Sequence, residues 1–150
     1  MSVTEHDVLS VLGPEVQSVT RLIHELDKNL LGQINQKLSP LEISQTQALF
    51  IIYLGYYTSL PVYQRALEKT FGLTNPTVTA SIKSLVNKGI VRREQDPDDG
   101  RYFRLYLTDY GKSLYEPCVD AFLETNAAID SRLTEEERSQ FIAILKKLMQ

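Results

Sequence analysis

The apolar residues of this chain recur with two different periods, and the place where one gives way to the other organises the whole sequence. Val16, Val19, Ile23, Leu26, Leu30 and Ile34 return every three or four positions, which predicts one apolar stripe on a long first helix. Leu22, Leu31 and Leu38 widen that stripe beyond what a single intramolecular contact usually needs. Ser39-Pro40 interrupts it. A second helix starts at Ser44, whose hydroxyl can cap the exposed amides while Gln47 reciprocates. This helix is apolar nearly all round, so it is expected to be central and buried, and Ser59-Leu60-Pro61 ends it. A short helix from about Tyr63 to Thr70 leads into Phe71-Gly72-Leu73 and a new cap at Thr74. Gly72 sits where a tight turn between helices needs a residue that tolerates positive φ. From Thr74 to Lys88 the apolar positions are Val78, Ile82, Leu85 and Val86, one narrow stripe, and Gly89 closes the helix.

The period then becomes two. Ile90 to Glu94 and Tyr102 to Leu107 read as strands, with Phe103, Leu105 and Leu107 alternating against Tyr102, Arg104 and Tyr106. Asp96-Pro97-Asp98-Asp99-Gly100 between them is dense turn chemistry, so the pair is predicted to be a hairpin. Thr108 or Asp109 caps a further long helix, whose regular course Pro117 should kink or delay. Thr134 and Glu137 form a second capping box ahead of Phe141, Ile142, Leu145 and Leu148. No internal repeat, low-complexity tract or linker is visible, and 150 residues suit one domain.

Helix, tight glycine turn, helix and two-stranded hairpin is the order of a winged helix-turn-helix. In such a motif the second helix buries one stripe and turns the opposite face toward the major groove of DNA. At ~100° per residue the Val78, Ile82, Leu85, Val86 stripe leaves Pro76, Thr77, Ala80, Lys83, Ser84 and Asn87 facing away, flanked by Asn75 and Thr79. That face is small, polar and basic. Taken alone it would be an ordinary solvated helix surface; joined to the glycine turn and a basic hairpin it points to duplex DNA. The amides at the start of the helix, after Thr74, favour a phosphate.

Residues 67–111, LEKTFGLTNPTVTASIKSLVNKGIVRREQDPDDGRYFRLYLTDYG, resemble the MarR family of bacterial transcriptional regulators, and the resemblance extends over almost the whole chain. The most specific segments are Thr74 to Thr79, Leu85 to Val91, Asp96 to Arg101, and Leu107-Thr108 with Gly111. The resemblance implies a mainly α fold with a small β-hairpin wing. Residues 41–108 would form the winged helix-turn-helix, and residues 1–38 and 109–150 the dimerisation helices. It further implies a homodimer on a pseudo-palindromic operator, commonly a repressor released by a small molecule. Asp99 would brace Arg101, which enters the minor groove at the wing tip, with Arg93 and Arg104 as further wing contacts. Two positions depart from the family pattern: Glu68 stands where many relatives carry alanine, and Tyr63 replaces a capping Ser or Thr.

Charge refines this picture. The chain as a whole carries −3. Between Tyr63 and Leu107, however, eight cations face five acids for a net +3, leaving −6 on the rest. An anionic partner is therefore expected for the middle alone. The opening residues lack the pattern of a secretory signal, the longest apolar run (Ala48 to Tyr57) is too short to span a bilayer, and Cys118 is a lone cysteine. These features favour the cytoplasm and no membrane partner.

Other chemistry finds little support. A calcium loop begun at Asp96 would need glycine at its sixth position and glutamate at its twelfth, where Arg101 and Leu107 stand. His6 and His24 have no ligand partners at metal spacing, and no nucleophile, base and orienting acid fall in a recognisable order. No metal, cofactor or catalytic residue is expected. Cys118 within an amphipathic helix reads as a small buried hydrophobe rather than a redox sensor. Tyr53, Tyr56 and Tyr57 read first as core packing, with a small-molecule effector pocket as the alternative. A different function for the same fold is a winged protein–protein adaptor, which the small basic face of the second helix disfavours.

Overall fold

The computed structural model describes residues 2–12 and 18–150. Val16, the first member of the predicted stripe, lies outside them. The expected long first helix is α2 (Val19–Leu38), capped by the Ser18 hydroxyl accepting from the Arg21 amide, and a short helix that the periodicity did not predict, α1 (Glu5–Leu12), precedes it. A short 3-10 turn, Ser39–Leu41, uses Pro40 to end α2. The chain then forms α3 (Gln45–Tyr56), β1 (Val62–Tyr63), α4 (Gln64–Phe71), α5 (Asn75–Asn87), β2 (Val91–Gln95) and β3 (Phe103–Leu107). It ends with α6 (Asp109–Ser113), α7 (Tyr115–Asp130) and α8 (Glu135–Leu148).

Both predicted capping boxes are present, Ser44 with Gln47 on α3 and Thr134 with Glu137 on α8. Thr108 caps α6, and the chain breaks at Leu114 before α7 sets off with Pro117 in its first turn. Proline is tolerated there because the first amides of a helix have no intrahelical partner. Gly72 closes α4 with φ +62°.

The sheet is antiparallel in the order β1-β3-β2, with Val62 opposite Leu105 and Arg93 opposite the same residue from the other side. The sequence predicted only two strands. A two-residue strand has no period to read, and it exists because β3 offers a free edge to the segment leading into α4.

One continuous core runs from Ile34 to Ala121. Phe50 and Ile51 of α3, Leu67 of α4, Val78 and Leu85 of α5, and Val91 of β2 are fully or almost fully enclosed in it. Val86, expected on the buried stripe, is instead exposed: Leu85 takes the buried position in the last turn of α5, and Val86 lines the surface hollow beside Lys83 and Arg93. Cys118 is fully buried, and burial pushes its thiol up to about 11. It is a packed hydrophobe at neutral pH.

α8 buries no residue against its own chain. Its Phe141, Ile142 and Leu145 line an open apolar cleft of about 530 Å³ opposite Ile23, Leu26 and Leu30 of α2. Among the described residues no helix is long and apolar enough to cross a membrane.

Two glycines separate packing from propensity. A Cβ on Gly111 would collide with the backbone carbonyl of Ile90, which also receives the Thr108 amide. Gly111→Ala is expected to destabilise by about 1–3 kcal/mol. Gly32, in the middle of α2 with open space around it, should gain roughly 0.5–1 kcal/mol on changing to alanine. Urea denaturation of the two variants checks both signs.

Candidate nucleic-acid interface

α4, the Gly72 turn and α5 form the helix-turn-helix, and the polar face of α5 stands clear of the core. Asn75, Pro76, Thr77, Thr79, Ala80 and Lys83 are exposed, as the helical arithmetic predicted. Thr74 holds the cap position by its backbone, but its hydroxyl pairs with that of Thr77 at 2.9 Å and makes no capping bond to an amide. Ser84 does not belong to the outer face. It is half-buried, and its Oγ accepts from Nε2 of the buried Gln47 at 3.0 Å. A buried amide must find a partner, and that need turns Ser84 inward.

The outer face is fastened by polar contacts between the two helices. Gln64 Nε2 donates to Thr79 Oγ1 at 2.7 Å, and Asn75 Nδ2 donates to Glu68 Oε1 at 2.6 Å. Gln64 and Glu68 lie one turn apart on α4, Asn75 and Thr79 one turn apart on α5, so two rungs join the helices. Sequence reading missed Gln64, since a glutamine beside a helix start carries no signal until its partner is known.

The wing is set by one carboxylate. Asp96 is buried, and its Oδ1 accepts from the amides of Asp98 (2.8 Å) and Asp99 (3.2 Å), which closes the turn between β2 and β3. Its Oδ2 accepts from the Tyr63 hydroxyl and from Arg104 Nε at 3.2 Å. The Tyr63 hydroxyl and then these amides hold the Asp96 carboxyl down at about 2. Tyr63 is therefore more than a substitute for a missing cap: it ties the start of α4 to the wing. Arg104, expected to be free at the wing, is a part of this brace. Tyr106, Tyr63 and Asp96 together raise its guanidinium above its ordinary value.

At the wing tip Arg101 is paired with Asp99, the brace that the resemblance implied. Its Nε and NH2 donate to the two oxygens of Asp99 at 3.0 and 2.8 Å, while its side chain remains 83% exposed. Such a fork-to-carboxylate pair fixes the direction of the guanidinium without hiding it. Arg93 lies over the Phe103 ring, 4.4 Å from its centroid, which spreads its stem along β3. A hollow lined by Thr79, Lys83, Val86 and Arg93 adjoins a crevice lined by Arg65, Glu68, Asn75, Arg93 and Arg101. Arg93 borders both, so α5 and the wing present one connected surface.

Of the three tyrosines only Tyr53 packs against the core as first expected, while Tyr56 and Tyr57 are exposed. Tyr53 stacks on Tyr57 and on Phe71 with centroids 4.6 and 6.0 Å apart, and Tyr56 is 70% exposed. Among the described residues, no group of three or more His, Cys, Asp or Glu side chains is placed to hold a metal ion.

Three strands, a helix-turn-helix and a braced tip define a winged helix-turn-helix protein. The chain matches the model of the MarR family over residues 39–101 and has a winged-helix fold like that of MarR-family proteins. Its fold is similar to that of S. aureus MepR in complex with DNA, at 27% identity over 89% of this chain and 97% of that one, with a TM-score of 0.83. A mutant of E. coli MarR complexed with operator DNA matches at 25% identity over 96% and 99%, with a TM-score of 0.78. MepR, a transcription regulator of the S. aureus multidrug efflux pump MepA, also matches outside that complex, at 26% identity over 89% and 97% and a TM-score of 0.69.

The Asp96 brace makes wing stability depend on acid. A carboxyl depressed from 3.8 to about 2 on folding contributes stability that is complete above about pH 4 and is lost as pH falls toward 2. Asp96→Asn is expected to lower the melting temperature at neutral pH and to flatten the stability profile between pH 4 and 2. Thermal melts of both proteins across that window check it.

Proposed function

We propose that this protein is a cytoplasmic transcriptional regulator, without catalytic activity, that binds a pseudo-palindromic operator as a homodimer. In this reading residues 41–108 are the DNA-binding region, and residues 1–38 and 109–150 supply the dimerisation helices. The observation that carries it is the connected surface on which Thr77, Ala80 and Lys83 stand beside Arg93 and the Asp99-held Arg101. Thr77, Ala80 and Lys83 are short or flexible enough to reach base edges in the major groove. A guanidinium aimed from a hairpin tip suits the narrow, negative minor groove. The likeness to MepR and MarR structures that contain DNA supports the same reading.

The homodimer rests on the terminal helices. Val19, Leu22, Ile23 and Leu26 of α2 and Phe141, Ile144 and Leu148 of α8 are exposed, and α8 buries nothing in its own chain. A second copy laid along this apolar surface would supply the missing burial. Two wings held by paired helices read two half-sites, so a small molecule that alters the helix pairing would alter their spacing. We infer a ligand-responsive repressor on that basis. Sedimentation at micromolar concentration should give a dimer; a stable monomer would remove this part of the reading.

Selection from a random duplex library supplies the operator, and titration at several salt concentrations then separates the roles. Arg101→Ala should weaken binding to selected and scrambled duplexes by similar factors and flatten the log–log salt dependence by about one unit. Lys83→Ala and Thr77→Ala should narrow the gap between the two duplexes by roughly 1–3 kcal/mol where a base contact is lost. Arg101→Ala changing sequence preference alone, with the helix variants losing affinity uniformly, would reverse these assignments. A protein that enriches no duplex would instead favour the adaptor role.

A further inference from the structure

Glu68 is the residue that the DNA-binding surface leaves unexplained. It is the sole carboxylate among the described residues lining the crevice between α4 and the wing, where Arg65, Arg93 and Arg101 supply three cations. An anion there opposes the phosphate backbone that those cations would meet. It is also tied to the recognition helix, because its Oε1 takes the amide hydrogen of Asn75 at 2.6 Å. No salt bridge links Glu68 to any of the three arginines among the described residues, so its charge is not cancelled locally.

Resting on the DNA-binding reading above, we propose that Glu68 is a specificity-determining residue that acts in two ways. Its charge lowers affinity for any duplex regardless of sequence, because sequence-independent binding is dominated by phosphate neutralisation. That penalty falls on operator and background alike, so it sets how much protein is needed to occupy DNA and leaves the ratio between sites to the contacts with bases. Its hydrogen bond also fixes what Asn75 offers to a base. A free asparagine amide meets adenine with a donor and an acceptor together. One of the two Nδ2 hydrogens is held by Glu68, which sets the plane of the Asn75 amide; the other hydrogen remains for a base, together with Oδ1, whose nearest protein donor is the Thr79 hydroxyl at a weak 3.5 Å. Held in that plane, the amide meets a base edge from one fixed direction, so the bond to Glu68 restricts which base at that position it can pair with.

Two substitutions separate charge from hydrogen bond. Glu68→Gln keeps an oxygen to accept from Asn75 and removes the charge. Glu68→Ala removes both. The full-length wild-type protein first selects duplexes from a random library, and all three proteins are then titrated with selected and scrambled duplexes over a range of salt. Glu68→Gln should raise affinity for the scrambled duplex by about three- to sevenfold, the Coulomb effect of one charge some 7 Å from a phosphate at an effective dielectric of about 40–80. Its salt dependence should steepen by up to about one unit, with base preference unchanged. Repeating the selection with Glu68→Ala should relax the base preference at one position of each half-site, because the Asn75 amide is no longer held in one plane. Unchanged scrambled-duplex affinity in Glu68→Gln overturns the charge role, and an unchanged selected sequence in Glu68→Ala overturns the positioning role. If the wild type enriches no duplex, the DNA-binding reading itself falls and takes this one with it; enrichment by wild type with inert Glu68 variants defeats this one alone.

Discussion

From Gln45 to Gly55 no residue of α3 is exposed, so the rest of the chain must enclose this helix on every side. Its neighbours are α2 and α7 on one side and α5, α6 and β3 on the other. The terminal helices and the winged unit therefore share one core. Gln47 makes the dependence specific. The side chain that reciprocates the Ser44 cap also donates to Ser84 on α5, so the start of α3 and the seating of α5 rest on the same amide. Removing one partner would leave a buried polar group unsatisfied, which costs more than the bond contributes.

What could be read in the sequence was what local chemistry decides. Capping boxes span four residues, the Gly72 turn needs one unusual φ, and the Pro117 break follows from a missing amide; each was legible. The Asp99–Arg101 pair, two residues apart on a turn, came through the resemblance and stands in the structure as expected. The misreadings share a different cause. Ser84 turns inward because Gln47, far away in the chain, needs an acceptor, and Arg104 is held because Asp96 lies across the hairpin. Val86 has the residue type and spacing of a core position, yet its neighbour Leu85 fills the core there and Val86 is left at the rim. Helical arithmetic gives directions but not the extent of what lies in each direction.

β1 runs directly into α4, and Tyr63, which ends the one and caps the other, reaches Asp96 in the wing turn. The helix-turn-helix and the sheet are thereby joined by backbone pairing on one side of β3 and by a buried carboxylate at the hairpin end. A wing fastened in this way moves with its helices as one body. Adjustment to a target must then come from the exposed side chains or from the relative placement of whole winged units, since hairpin flexing would break the Asp96 contacts.

The rungs between α4 and α5 divide the outer face into two kinds of position. Thr77, Ala80 and Lys83 carry no interhelical bond and little packing, so substitutions there change stability by no more than about 0.5 kcal/mol. Gln64, Glu68, Asn75 and Thr79 are joined in pairs, and altering one member strands the other. Under mutation the first group can drift singly, each step viable on its own. In the second, a change at one member alters the setting of its partner, so effects within a pair are not additive. Divergence of recognition in this chain's descendants would therefore begin at Thr77, Ala80 and Lys83 and reach the paired residues late.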